Sequence, residues 1–203
     1  MSLLHALFTS IFLLCCNYEP DKKILFDGFS LVGWQVIDFE GHGNINIEDS
    51  CIIIGKGEAI SGIKWTKDFP VTNYEVSLEA KRVEGSDFFC GLTVPVKDSF
   101  ITLVLGGWGG SVVGLSCIDS YDASENETYT LLSFEKDKWY HIRLRITDDK
   151  IEAWIDQDKC VDFTIGNHDL SLRWEVESSK PFGITTYKTT GALRNIRLET
   201  ITE

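Results

Sequence analysis

The stretch on which the reading of this chain turns is Leu25-Phe26-Asp27-Gly28-Phe29-Ser30-Leu31-Val32-Gly33-Trp34. Asp27-Gly28 is a turn signal, because glycine tolerates positive φ and an aspartate side chain bonds backbone N–H groups just ahead of it. Leu25 and Phe26 precede the turn, and Leu31 and Trp34 follow it. Apolar anchors on both sides of a turn describe a clamped loop that opens a β domain. Trp34 is predicted in the core, aimed there by the turn.

Working outward from this loop, nearly every segment has strand character. Tyr74–Ala80 alternates, with Tyr74, Val76, Leu78 and Ala80 facing one way and Glu75, Ser77 and Glu79 the other, the period of a half-buried strand. Trp139–Ile146 alternates again, with Arg143 and Arg145 opposite Ile142, Leu144 and Ile146. Asp148-Asp149 reads as a hairpin turn into a return strand, Ile151–Ile155. Cys51–Ile54, Phe88–Val96, Phe100–Leu105, Val112–Ile118, Cys160–Ile165, Gly183–Tyr187 and Leu193–Ile201 complete the set. No segment keeps a 3.6-residue apolar period, beyond a short helical turn expected near Ser171–Val176. Short strands separated by Gly, Asn and Asp turns predict a sandwich or barrel.

The opening loop also resembles the signature "LF-(D/N)-G-x-x-L-x-G-W" of the 3-keto-disaccharide hydrolase domain family. Four further motifs follow in the family's order. Asn73-Tyr74-Glu75-Val76 with Gly91-Leu92-Thr93 is similar to its paired strands. Trp139-Tyr140-His141-Ile142 looks like its "W-N-x-(I/V)" strand, and Ile151–Asp156 resembles its hairpin. Leu193-Arg194-Asn195-Ile196-Arg197-Leu198 is similar to the closing "F-R-N-I-(R/K)-(I/L)". The resemblance implies a concanavalin-like lectin/glucanase fold and cleavage of 3-keto-glycosides, in which the keto group acidifies the neighbouring C–H. The chain departs from the family where polar strands are usual: Thr93–Val96 and Phe100–Leu105 carry few polar groups. The fold expected is all-β, a two-sheet jelly-roll sandwich over residues 22–203, preceded by a leader and short linker over residues 1–21.

A chain of 203 residues holds one well-cored domain, and 43% hydrophobic with 12% aromatic residues describes a globular protein. The net charge of −12, from 31 acidic and 19 basic residues, repels phosphate backbones and argues against nucleic-acid partners. Neutral sugars remain compatible partners, and the acidity by itself reads as solubility. Leu3–Leu14 is an apolar run too short to span a bilayer, which takes about 20 residues, and of the length of a secretory h-region. Cys15-Cys16 after it resembles a lipoprotein box, although no Lys or Arg precedes the run. Export to the periplasm, the exterior or a membrane anchor is expected, with a lipidated Cys16 as the only tie to a membrane.

Cys51, Cys90, Cys117 and Cys160 remain beyond the leader and allow three pairings, among which sequence does not choose. Without a C-x-x-C spacing a zinc site is disfavoured, and buried free thiols are the favoured state.

Alternation nominates site residues. Glu79 and Glu152 are the candidate acid/base pair, because glycoside chemistry uses two carboxylates about 5–10 Å apart. Trp108, within the glycine-rich Gly106–Gly110, is the first candidate for stacking on a sugar ring. Trp154, Asp119, Asn126 and Glu127 are further candidates for sugar binding, with Trp108, Glu79, Asp119 and Glu127 expected along one cleft. The acidic run Asp119–Glu127 also offers oxygen ligands of the kind calcium takes, without an EF-hand spacing. Asn126-Glu127-Thr128 matches a glycosylation sequon. The function read from all this is an exported carbohydrate-active protein, a glycoside hydrolase or lyase on 3-keto-glycosides. A non-catalytic lectin-like glycan-binding module is the alternative.

Overall fold

A computed structural model describes residues 22–201. The leader, its cleavage and the Cys16 anchor lie outside the described residues. Fifteen strands run in chain order: β1 Lys22–Ile24, β2 Trp34–Val36, β3 Ile45–Glu48, β4 Cys51–Ile54, β5 Ile60–Trp65, β6 Tyr74–Glu84, β7 Cys90–Val96, β8 Ser99–Gly106, β9 Val112–Ser116, β10 Thr130–Leu131, β11 Tyr140–Ile146, β12 Lys150–Ile155, β13 Asp158–Thr164, β14 Phe182–Tyr187 and β15 Thr190–Thr200. They form two antiparallel sheets. The eight-stranded sheet has the order β13-β12-β11-β6-β15-β4-β3, with β1 added on β15. The seven-stranded sheet has the order β10-β9-β8-β7-β14-β5-β2. The helical turn expected at Ser171–Val176 is a 3-10 helix at Trp174–Ser179. Among the described residues no helix is long and apolar enough to cross a membrane.

Period-2 alternation lays out the core. From the eight-stranded sheet, Tyr74, Val76, Leu78, Ala80, Ile142, Leu144, Ile151 and Ala153 point inward. They meet Leu92, Val94, Ile101, Leu103, Leu105, Val113, Leu115 and Ile184 from the other sheet. Each fully buried aliphatic side chain of this kind contributes about 1.5–3 kcal/mol. Tyr74 is buried whole, and its hydroxyl donates to the Pro95 carbonyl at 2.6 Å, so its one polar atom is satisfied by the facing sheet.

The opening loop is clamped as its sequence predicts. Asp27 Oδ1 accepts the N–H groups of Phe29 and Ser30, both at 2.8 Å. Those backbone bonds hold the Asp27 carboxyl below its usual range. Trp34 is only 8% exposed and donates from Nε1 to the Leu25 carbonyl at 2.8 Å. Its ring meets Trp65 edge-on at 5.3 Å and Phe182 at 5.5 Å. Gly33 is required here: its φ is +87°, and a Cβ would stand 2.6 Å from the Trp65 ring.

All four cysteines of the domain are free thiols, three buried and Cys160 half-buried. Burial pushes the Cys160 thiol up to about 11, away from the reactive thiolate.

Candidate functional site

A cavity of about 450 Å³ opens on the outer face of the seven-stranded sheet, a size in the range of small-ligand clefts. Register dictates its floor. Thr93, Thr102 and Ser116 are side by side across β7, β8 and β9. In the next row Gly62, Thr185, Gly91, Val104 and Gly114 are neighbours across five strands. Small and hydroxyl-bearing residues there leave room above the sheet and put polar groups at its base. Thr93 and Thr102 share a hydrogen bond between hydroxyls at 2.9 Å. Thr102, Ser116 and Thr185 line the cavity itself.

Aromatic side chains rise from this floor. Phe88 and Tyr187 are stacked, with centroids 5.9 Å apart and planes 24° from parallel. Trp108 stands at the rim, 44% exposed. Its backbone is left-handed, φ 48°, which costs a non-glycine residue about 1–2 kcal/mol. Asp87 holds the turn in place: its Oδ2 accepts the Gly109 N–H at 3.0 Å, while its Oδ1 accepts that of Phe88 at 2.8 Å.

The segment entering the 3-10 helix adds Arg173, Glu175 and Val176 to the lining. Arg173 donates from Nε and Nη2 to Glu175, at 3.3 and 2.8 Å, and from Nη1 to Asp122. The guanidinium holds the Glu175 carboxyl below its usual range, so the group stays ionised in the cleft. Asp122 also accepts from Ser116 Oγ at 3.1 Å and from the Cys117 thiol at 3.3 Å. Gly183 gives the helix its seat, because a Cβ there would come within 2.5 Å of Ser179 Cβ.

Of the residues nominated by sequence, Trp108 lines this cavity and the others do not. Glu79 and Glu152 project from the outer face of the eight-stranded sheet, on the far side of the core. Glu79 Oε2 accepts from Arg194 at 2.6 Å and Asn195 at 2.7 Å. Partial burial pushes its carboxyl up, but those two bonds outweigh it and the net shift is downward. Glu152 is paired with Lys159 at 2.6 Å. The two carboxylates do not form an acid/base pair. Glu79 pairs across with His141, and Glu152 stands two strands away in the Arg145 and Glu75 row. Four residues along and two strands across place the Cα atoms roughly 17 Å apart, beyond glycosidase spacing. Trp154 lies on that same face, flanked by Arg143 at 4.4 Å, Lys159 at 5.1 Å and Arg145 at 5.4 Å.

The expected single cleft of Trp108, Glu79, Asp119 and Glu127 is therefore divided by the sandwich. Asp119 and Glu127 sit together beside His168, whose Nδ1 is 2.6 Å from Asp119 Oδ2 and whose Nε2 is 3.8 Å from Glu127 Oε1. Neither lines the cavity. Asn126 has spent its amide on its own loop. Nδ2 donates to the carbonyls of Leu115, Tyr121 and Asp122, and Oδ1 accepts from the Thr128 N–H and hydroxyl. It braces the loop and has no donor left for a sugar or a glycosidic link. Among the described residues no group of three or more His, Cys, Asp and Glu is placed to hold a metal.

Sequence reasoning missed Phe88, Tyr187, Thr102, Ser116, Thr185, Arg173 and Glu175. The available signal was a run of Thr, Ser and Gly at alternate positions in strands that otherwise read as covered on both faces.

The sequence profile of the 3-keto-alpha-glucoside-1,2-lyase-like domain matches residues 21–199. No curated protein matches the chain. Among solved structures, the fold is similar to a putative glycosyl hydrolase from Parabacteroides distasonis, at 15% identity and a TM-score of 0.57, covering 89% of this chain and 94% of that one. It is similar to the carbohydrate-binding module CBM66 from Bacillus subtilis, at 14% identity and a TM-score of 0.53, covering 83% and 96%. The exoplasmic/lumenal domain of VIP36, solved with Ca2+ and Man3GlcNAc, is similar at 9% identity and a TM-score of 0.60, covering 92% of each chain. At such identities the likeness is one of fold.

Proposed function

The chain belongs to the 3-keto-alpha-glucoside-1,2-lyase-like domain family, and on that footing we propose that it seats one sugar unit in the cleft over the seven-stranded sheet. The observation that carries this reading is the pairing of a hydroxyl-bearing floor with stacked aromatic side chains. A pyranose has an apolar face and a polar rim, and the cleft offers the complement of both. Phe88, Tyr187 and Trp108 take the ring faces, Thr102, Ser116 and Thr185 the hydroxyls, and Asp87 and Glu175 accept from hydroxyl donors at the rim. Calorimetry with neutral sugars tests it. Tyr187→Ala should weaken binding about tenfold, a single aromatic contact's worth. Wild-type protein that binds no sugar overturns the reading.

A second reading, that the bound sugar is also cleaved, is favoured by Glu175 and Arg173 in the lining. In a 3-keto-glycoside the C-2 proton passes to the Glu175 carboxylate, which Arg173 holds ionised, and the electron pair of that C–H bond moves onto the C-3 oxygen. The C-1–O bond then breaks, its electron pair leaves with the aglycone oxygen, and that oxygen takes the proton back from Glu175. Glu175→Gln should stop release of the unsaturated ketone and leave sugar binding in place. Release at the wild-type rate would exclude Glu175 as the base. The apolar run Leu3–Leu14 and Cys16 support export and a lipid anchor for the domain.

A further inference from the structure

The opening loop sorts its apolar residues in two directions. Leu25, Phe26 and Trp34 are buried and Leu31 packs against the core, whereas Phe29 is 81% exposed and Val32 73%. The fold does not call for these two, since both occupy positions that the opening signature leaves open. Ile24, on the strand that leads into the loop, is 64% exposed as well. The loop is braced from both ends. Asp27 accepts the N–H groups of Phe29 and Ser30, and Thr66 donates from its N–H and its hydroxyl to the Gly33 carbonyl, at 2.9 and 3.1 Å. Apolar groups held out on a braced loop are suited to contact with another surface. Lysines flank the loop. The Lys23 ammonium lies 5.3 Å from the centre of the Trp65 ring, the ring against which Gly33 is packed. Lys67 follows Thr66 and is exposed. Over residues 22–34 and 64–68, four lysines (Lys22, Lys23, Lys64 and Lys67) stand against two aspartates, Asp27 and Asp68, in a chain whose net charge is −12. Glu199 pairs with Lys22, and the Asp27 carboxylate is turned onto its own loop.

We propose that the opening loop is a membrane-docking tip, with Phe29 and Val32 entering the headgroup layer of a lipid bilayer. Two observations select this occupant. Exposed apolar residues flanked by lysines suit an interfacial contact, in which the apolar groups dip into the boundary between headgroups and acyl chains and the ammonium groups meet lipid phosphates. The second observation is the chain ahead of the domain. Cys16 lies six residues before Lys22, and six residues at full stretch span about 20 Å. A chain anchored at Cys16 therefore keeps the loop within reach of the bilayer. The docking is independent of what the cleft binds, and it takes from the export reading only that a bilayer is close.

The experiment places the full chain on bicelles of phosphatidylcholine and phosphatidylglycerol that carry a gadolinium-chelating lipid, and reads the broadening of backbone amide signals by NMR. The amides of Phe29, Ser30 and Val32 should lose the most signal, while those of Val104, Thr185 and Tyr187 in the cleft keep theirs. The double variant Phe29→Ser, Val32→Ser should remove most of that difference, and Phe29→Leu should retain it. Both side chains are exposed, so an unchanged thermal transition is expected for all variants. Sharp loop amides in a chain that stays on the bicelle overturn the docking, leave the anchor reading intact and point to a protein partner for the tip. Broadening spread evenly over the domain, or unchanged in the double variant, overturns it as well, because the apolar pair would then not hold the loop at the lipid. A full chain that stays off the bicelle overturns both the docking and the tether.

Discussion

Asp122 and Arg173, 51 positions apart in the chain, are joined by a direct ion pair beneath the rim of the cleft. One Asp122 oxygen meets the guanidinium, and the other accepts the Ser116 hydroxyl at 3.1 Å. The carboxylate thereby ties the end of β9 to the segment that carries Glu175 and Trp174. Asp122→Ala should cost about 1–3 kcal/mol, since a half-buried charged acceptor leaves its donors unpaired. It should also weaken sugar binding more than it weakens the fold. Urea denaturation alongside calorimetry checks both, and full affinity in the variant would show that the rim holds its shape without the pair.

Acidic sugars should be poor ligands. Asp87 and Glu175 line the cleft, and Arg173 has its Nε, Nη1 and Nη2 all committed to carboxylates. A uronate would bring a third charge of the same sign with no free cation to meet it. It should bind at least about tenfold more weakly than its neutral hexose counterpart. A competition assay with matched hexose and uronate reads this directly, and equal affinities would contradict the charge assignment.

The His168 and Asp119 contact has a pH signature. The hydrogen bond to Asp119 raises the His168 pKa; desolvation opposes it, and the Asp119 and Glu127 charges add to the rise. The same bond lowers Asp119. A group raised on folding contributes fully below its unfolded value, 6.5, and the contribution fades as pH rises through the folded value. The Asp119 contribution is present above 3.8 and fades as pH falls through its lowered value. The His168→Ala variant should therefore lag the wild type most in melting temperature near about pH 5–6, and draw level in mildly alkaline buffer. A gap that widens with pH would refute the pairing.

Trp34→Ala should cost about 3–5 kcal/mol, as large aromatic deletions in packed cores do. The deletion removes contacts to Trp65 and Phe182 and leaves the Leu25 carbonyl without its donor. An unchanged denaturation midpoint would contradict the packing.

The fold was legible in the chain because alternation is a backbone property. Tyr74–Ala80 and Trp139–Ile146 pointed the correct residues inward, and the opening loop placed Trp34 where the structure has it. The cleft was harder to see. Alternation separates inside from outside, but it does not say which of two outsides a residue faces. Glu79 and Thr102 are both outward residues, on opposite sheets. The carboxylate drew attention because it carries chemistry, whereas the threonine looked like part of a covered strand. Asn126 differs for another reason: its polar atoms satisfy backbone groups of its own loop, a pairing that exists only once the loop is folded.

The pairing of β1 with β15 sets Lys22 opposite Glu199, so the domain begins and ends at one place on the eight-stranded sheet. The cleft opens on the other sheet, across the full thickness of the sandwich. A few residues would suffice to join the two ends, which makes the domain a candidate for circular permutation and for insertion into a loop of a host protein. A tether attached before Lys22 and a fusion added after Glu199 would both leave from the side opposite the cleft. The cleft would then open away from whatever carries the domain.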